Sequence, residues 1–233
     1  MAQHVWPIVN TIAFGGVVVA NAVAGRRTGG VSARYETAFT PARGAFSIWG
    51  IIYALLAASV IAQFFDRALA SALAVPFFVQ AVCNVAWIVL FTQARVRAAG
   101  AMLIGVTASV GVAYARARAL AEIHATWPRA LARGTFALYL SWTLLASVLG
   151  LSIAFGAPAH WRPPARDRAI RIAVWLALWA AVATTQWCTT EPLISLPIAW
   201  GAAFRAQRGD GVSAVFSALF VITALITFAR AQT

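Results

Sequence analysis

Residues 44–65 read GAFSIWGIIYALLAASVIAQFF, twenty-two positions without one charged side chain. A bilayer core of roughly 30 Å takes about 20 apolar residues in helical form, and lipid offers unpaired backbone no partner, so this stretch is predicted to be a membrane-spanning helix. The same signature recurs on either side of it, at 5–25, 73–94, 98–115, 132–155, 169–188 and 212–230. Between the last two lies 191–204, only about two-thirds of the required length and carrying Pro192 and Pro197. It is either a short eighth span or a re-entrant segment, and eight is preferred. The fold class expected is an all-α integral membrane protein, a bundle of seven to eight transmembrane helices.

Composition agrees. Hydrophobic side chains make up 62% of the 233 residues and charged ones 10%, with a mean hydropathy of +0.80, against about 45–50% and 25% in water-soluble domains. All 18 basic residues are Arg, against six acidic ones, for a net charge of +12. They cluster between the apolar runs, so the charge reads as loop topology and not as a nucleic-acid partner. With eight spans the Arg residues divide 12 to 6 between the two sides, and with seven, 11 to 7. Either count places the first loop, 26–43, in the cytoplasm and the N-terminus away from it. The membrane expected is a bacterial inner membrane or an organellar one.

No ionisable residue falls at mid-membrane depth. Glu36, Asp66, Glu122, Asp167, Glu191 and Asp210 all lie at span edges or in loops, which argues against ion-coupled pumping. Paired carboxylates, a Ser/His/Asp set and a phosphate-cradling glycine loop are absent from the sequence, and Cys83 and Cys188 make no metal-ligand spacing with His4, His124 or His160. Neither a catalytic group nor a metal site is expected, and the protein is not read as an enzyme.

Ten Trp, four Tyr and fourteen Phe stand in place of such chemistry. Trp6, Trp127 and Trp161, at span ends, fit an interfacial belt. Trp175 and Trp179, in line with Ile172, fit helix packing or lipid contact. In the second span Phe46, Trp49, Gly50 and Tyr53 follow i, i+3, i+4, i+7 spacing and share one face, after a Phe39-Thr40-Pro41 entry. In the third, Gln80, Asn84 and Trp87 do the same. Their amides serve either a ligand or interhelical hydrogen bonds, worth about 0.6 kcal/mol each. Tyr139 and Trp142 in the fifth span are followed on the same stripe by Ala146 and Gly150. If these three faces converge, they line an apolar cavity with a few orienting polar groups, the usual form of a small-molecule site. Gly16, Ala20 and Ala24 in the first span, and Gly105, Ser109 and Ala113 in the fourth, permit close helix approach or dimerisation.

Phe39-Thr40-Pro41-Ala42-Arg43-Gly44-Ala45-Phe46-Ser47-Ile48-Trp49-Gly50-Ile51-Ile52-Tyr53 resembles a motif of the TspO/translocator-protein family, in its longer tryptophan-rich sensory branch. Asn84-Val85-Ala86-Trp87 and Leu138-Tyr139-Leu140-Ser141-Trp142 resemble that family's third- and fifth-helix stations, with Leu138 where proline is usual. The resemblance divides the chain into a five-helix core, 1–155, and two or three additional helices, 156–233. It implies a bilayer-embedded protein, often a homodimer, that binds flat hydrophobic ligands: a porphyrin, haem-type or other tetrapyrrole, or a sterol, with no cofactor required. Trp49, Asn84 and Trp142 would face the ligand. Phe46, Tyr53 and Trp87 would support them, with Tyr139 and Gln80 on the same faces. A lid loop including Arg34, Pro41 and Arg43 would close the pocket. Its arginines, with Arg26 and Arg27, either pair with ligand carboxylates or only mark the cytoplasmic side. The function implied is ligand binding or sensing. Alternatives are transport of such a ligand, suggested by the broken 191–204 stretch beside Glu191, and tetrapyrrole degradation.

Overall fold

The computed structural model describes residues 5–155 and 165–232. These described residues form eight α-helices: α1 (Val5–Arg34), α2 (Ile48–Ala62), α3 (Arg67–Thr92), α4 (Val96–Ile123), α5 (Trp127–Phe155), α6 (Ala165–Thr189), α7 (Leu196–Ala206) and α8 (Gly211–Arg230). Short 3-10 turns at Arg43–Ser47 and Pro192–Ser195 lead into α2 and α7. No strand occurs among the described residues. Among the described residues, seven helical segments are long and apolar enough to cross a membrane.

Three of the acidic residues, Asp66, Glu191 and Asp210, serve as helix starts. The Asp66 carboxylate accepts the Leu69 amide at 3.0 Å to open α3. Asp210 accepts the Val212 amide and the Ser213 hydroxyl, at 3.2 and 2.8 Å, to open α8. Glu191 accepts the Leu193 amide at 3.4 Å ahead of Pro192. Each satisfies backbone donors that the first turn leaves without partners, where the helix dipole also favours negative charge.

Glu191 also marks one end of the bundle. It pairs with Arg133 at the start of α5, Nε to Oε2, at 2.9 Å. At the opposite end of the 191–208 stretch, Arg205 Nη1 donates to the Thr40 carbonyl at 3.5 Å and Arg208 pairs with Glu36, both beyond the end of α1. One short segment therefore joins the two ends of the bundle, so 191–206 is an eighth leg and not a re-entrant loop. It manages this with four 3-10 and eleven α-helical residues, which rise about 24 Å together.

Helix boundaries differ from the hydropathy reading. α1 continues nine residues beyond 25 through Arg34, so Arg27 and Arg34 sit on a helix and not in a loop. α4 continues to Ile123 with Arg116 and Arg118 on it, and α5 begins at Trp127. Hydropathy marks only the part of a helix that lies in hydrocarbon, whereas the hydrogen-bond ladder continues into the headgroup layer. His4, His160, Trp161, Arg162 and the side chains of Arg26, Arg166 and Asp167 lie outside what the structure describes.

Trp6 and Trp127 are exposed at helix ends, as an interfacial belt requires. Trp175 is 2% exposed and packs against Phe216 and Phe220, with ring centroids 6.0 and 6.4 Å away. Trp179 Nε1 donates to Thr223 at 3.1 Å, which ties α6 to α8.

Candidate functional site

A cavity of about 710 Å³ lies among α1 to α5 at the Glu36/Arg208 end. Its volume falls within the range of roughly 300–1,000 Å³ usual for small-molecule sites. Phe46, Trp49 and Tyr53 from α2 and the turn before it, Trp87 and Phe91 from α3, and Trp142 from α5 form its aromatic side. The rest of the lining mixes aliphatic side chains such as Ile88, Leu103, Leu145 and Leu149 with small residues: Gly25 and Gly29 on α1, Ala99 and Gly100 on α4, Ala146 and Gly150 on α5.

Trp49 is the hub of the aromatic side. Its ring lies 5.4 Å from Tyr53 and 6.3 Å from Trp87, both stacked, and meets Tyr139 and Trp142 edge-on at 6.0 and 6.2 Å. Phe46 meets Trp142 edge-on at 6.0 Å. The faces of the second, third and fifth spans thus converge. Such pairs favour offset-stacked or edge-to-face geometry, which fixes the wall in place without a ligand. Trp142 is 2% exposed, and its Nε1–H has no hydrogen-bond partner.

The predicted amides lie one layer behind that wall. Tyr139 Oη donates to Gln80 Oε1 at 3.1 Å and accepts from Asn84 Nδ2 at 3.2 Å. Asn84 Oδ1 accepts in turn from Asn21 Nδ2 at 3.0 Å. Gln80, Asn84 and Tyr139 are all buried and tie α3 to α5 and α1. Asn21 itself lines the cavity.

Residues 36–43 cover the cavity, with Glu36, Phe39, Thr40, Pro41 and Arg43 on its lining. Arg34 ends α1, with its guanidinium 5.8 Å from the Tyr35 ring. The cover is held from the C-terminal third of the chain. The Ala42 amide donates to the Phe204 carbonyl at 3.1 Å, and Trp200 Nε1 donates to the Ala45 carbonyl at 2.9 Å. Phe39 lies 6.2 Å from Trp175. Gly44 is required at its position, because a Cβ there would stand 2.5 Å from Phe204 Cε1.

A family model described as "TSPO-like protein" matches residues 5–231. The chain belongs to the TSPO-like family. The match runs past residue 155 and takes in α6 to α8, of which α6 and α7 contact the cover. No curated protein and no solved structure matches the chain significantly. Membership in the TSPO-like family, together with seven long apolar helices, makes this an integral membrane protein in contact with the bilayer.

Charge in this TSPO-like protein is confined to the ends of the bundle. At the end away from the cavity, Arg129 Nε donates to Asp66 Oδ2 at 2.6 Å. Burial works against the Asp66 carboxylate, but the Arg129 guanidinium and the Leu69 amide outweigh it and hold the group below its ordinary pKa. At the cavity end, Glu36, Arg43 and Arg208 are the ionisable groups on the described lining.

Sequence reasoning missed the contribution of α1. Asn21, Gly25, Thr28, Gly29 and Ser32 all line the cavity and follow i, i+4, i+7, i+8, i+11 spacing, which is one helical face. The signal was present, but the Arg26-Arg27 pair made 26–43 read as a loop, which separated Thr28, Gly29 and Ser32 from Asn21 and Gly25 in the span. Arg208 had no local signal, since its place depends on α7 crossing the membrane.

Proposed function

We propose that this protein is a membrane-embedded binding or sensory protein for a flat, hydrophobic small molecule of the tetrapyrrole or sterol type. One observation carries the reading: a cavity of about 710 Å³ whose lining brings together Phe46, Trp49, Tyr53, Trp87, Phe91 and Trp142, under a segment tied to α7 by the Ala42–Phe204 and Trp200–Ala45 hydrogen bonds. A wall of rings suits a flat molecule. Burying apolar area stabilises a complex by about 25 cal/mol per Å², and stacking on the Trp49–Trp142 wall adds about 0.5–1.5 kcal/mol per ring pair. Arg43 and Arg208 at the mouth supply charge for a ligand carboxylate. The ligand leaves unchanged, and no chemistry by the protein is part of the reading. A homodimer in the membrane belongs to the same proposal.

The transport alternative draws no specific support. The broken leg at 191–206 contributes no residue to the described cavity lining, and Glu191 is bound to Arg133 at the opposite end of the bundle.

Titrating purified protein with protoporphyrin IX tests the proposal through tryptophan fluorescence. Saturable quenching is expected, lost in Ala146→Phe and Gly29→Leu, which fill the slot from α5 and α1. Quenching that both variants leave intact overturns the reading. Chromatography of the recovered porphyrin tests for chemistry, with unaltered ligand expected.

A further inference from the structure

Asn21 carries hydrogen-bonding information that its neighbours determine completely. Its Nδ2 lies 2.9 Å from the Val17 carbonyl and 3.0 Å from Asn84 Oδ1. A backbone carbonyl can only accept, so the atom facing Val17 must be the amide nitrogen, and the orientation of Asn21 follows. The polarity then propagates. Asn84 presents oxygen to Asn21 and nitrogen to Tyr139, and the Tyr139 hydroxyl donates onward to Gln80. Both hydrogens of the Asn21 amide have acceptors. The one capacity it brings unmet to the cavity lining is its Oδ1 acceptor.

This acceptor sits deep in the slot. On α1 the other lining residues, Gly25 to Ala33, all lie nearer the cover. Asn21 is seven residues, about 10 Å of helix, below Thr28. The Thr28 hydroxyl already donates to the Gly25 carbonyl at 2.6 Å. In a largely apolar pocket an unpaired acceptor discriminates between ligands, because one without a donor leaves it unpaired.

We propose that Asn21 is the specificity-determining residue of the cavity. Through Oδ1 it accepts a hydrogen bond from an N–H or O–H group on the rim of an otherwise apolar, flat ligand. This rests on the ligand-binding reading above and narrows it. A sterol-type hydroxyl, a rim lactam N–H or the protonated carboxyl of a porphyrin side arm satisfies Asn21.

The test uses 1-hydroxypyrene and 1-methoxypyrene, which share one flat ring system and differ in a single donor. Affinities are read by energy transfer from tryptophan to pyrene, in wild type, Asn21→Leu and Asn21→Ala. The hydroxy-to-methoxy affinity ratio is expected to fall about 2- to 12-fold in both variants, the span set by one hydrogen bond. A merely structural role for Asn21 weakens both probes equally. Binding of both probes with an unchanged ratio in the Asn21 variants overturns the assignment and leaves the cavity reading standing. A wild type that binds neither probe overturns the cavity reading itself.

Discussion

The indoles of Trp49 and Trp142 meet edge-to-face, ring centroids 6.2 Å apart and planes at 90°, across the junction of α2 and α5. These residues are 93 positions apart in the chain, and their contact makes one wall out of two helices. If the wall acts as a unit, its members are not independent. Trp49→Leu and Trp142→Leu are each expected to weaken porphyrin binding about 10-fold or more, a loss of about 1.4 kcal/mol. The double variant should lose less than the sum, as contacting residues do. Fluorescence titration of the four proteins measures the coupling, and strict additivity would contradict it.

The C-terminal helices hold the cover through Trp200, Phe204 and Arg208. Trp200→Phe keeps the ring and removes the hydrogen bond to Ala45, and Arg208→Gln removes the ion pair to Glu36. Each change should raise opening of residues 36–47 by about 2- to 12-fold per lost bond. Hydrogen exchange of those amides, followed by mass spectrometry, is the measurement. Gly44→Ala should act in the same direction by pushing against Phe204. Unaltered exchange in all three variants would mean that the core alone keeps the cover closed.

The Asp66–Arg129 pair, with side chains 8% and 15% exposed, makes stability depend on acid. The Asp66 pKa is lowered in the fold. Its stabilisation is therefore complete above the unfolded value of about 3.9 and is lost as pH falls through the lower folded value. Asp66→Asn keeps a capping side chain and should cost about 1.5–3 kcal/mol at neutral pH. Thermal midpoints in detergent should show wild type and variant converging as pH falls below about 4. A gap independent of pH would contradict the assignment.

Eight legs put both termini on one side of the membrane, whereas seven would separate them. Reporter fusions at the two ends should respond alike, and the 12-to-6 distribution of Arg predicts that both face away from the cytoplasm. Opposite responses would mean that 191–206 does not cross.

Much of this was legible in the sequence because lipid imposes simple rules. Apolar length located seven helices, and helical spacing brought Phe46, Trp49, Tyr53, Trp87 and Trp142 to one wall. Periodicity indicates which residues share a face but not how far the face stands from the cavity. For that reason Gln80, Asn84 and Tyr139, on correctly read faces, lie behind the wall, while Asn21 lines it. The helical continuation of α1 through Arg34 was hidden because charge at the headgroup level resembles charge in a loop. The contacts of Trp200, Phe204 and Arg208 with the cover join residues more than 150 positions apart, and no local pattern announces them.

The most direct test of the central claim is an experimental structure of the protein with protoporphyrin IX bound. The ring should lie between the Trp49–Trp142 wall and the α1 face from Asn21 to Ser32, beneath residues 36–43. Density instead in the outer groove lined by Gly16, Phe78 and Val82, with the covered cavity empty, would contradict it.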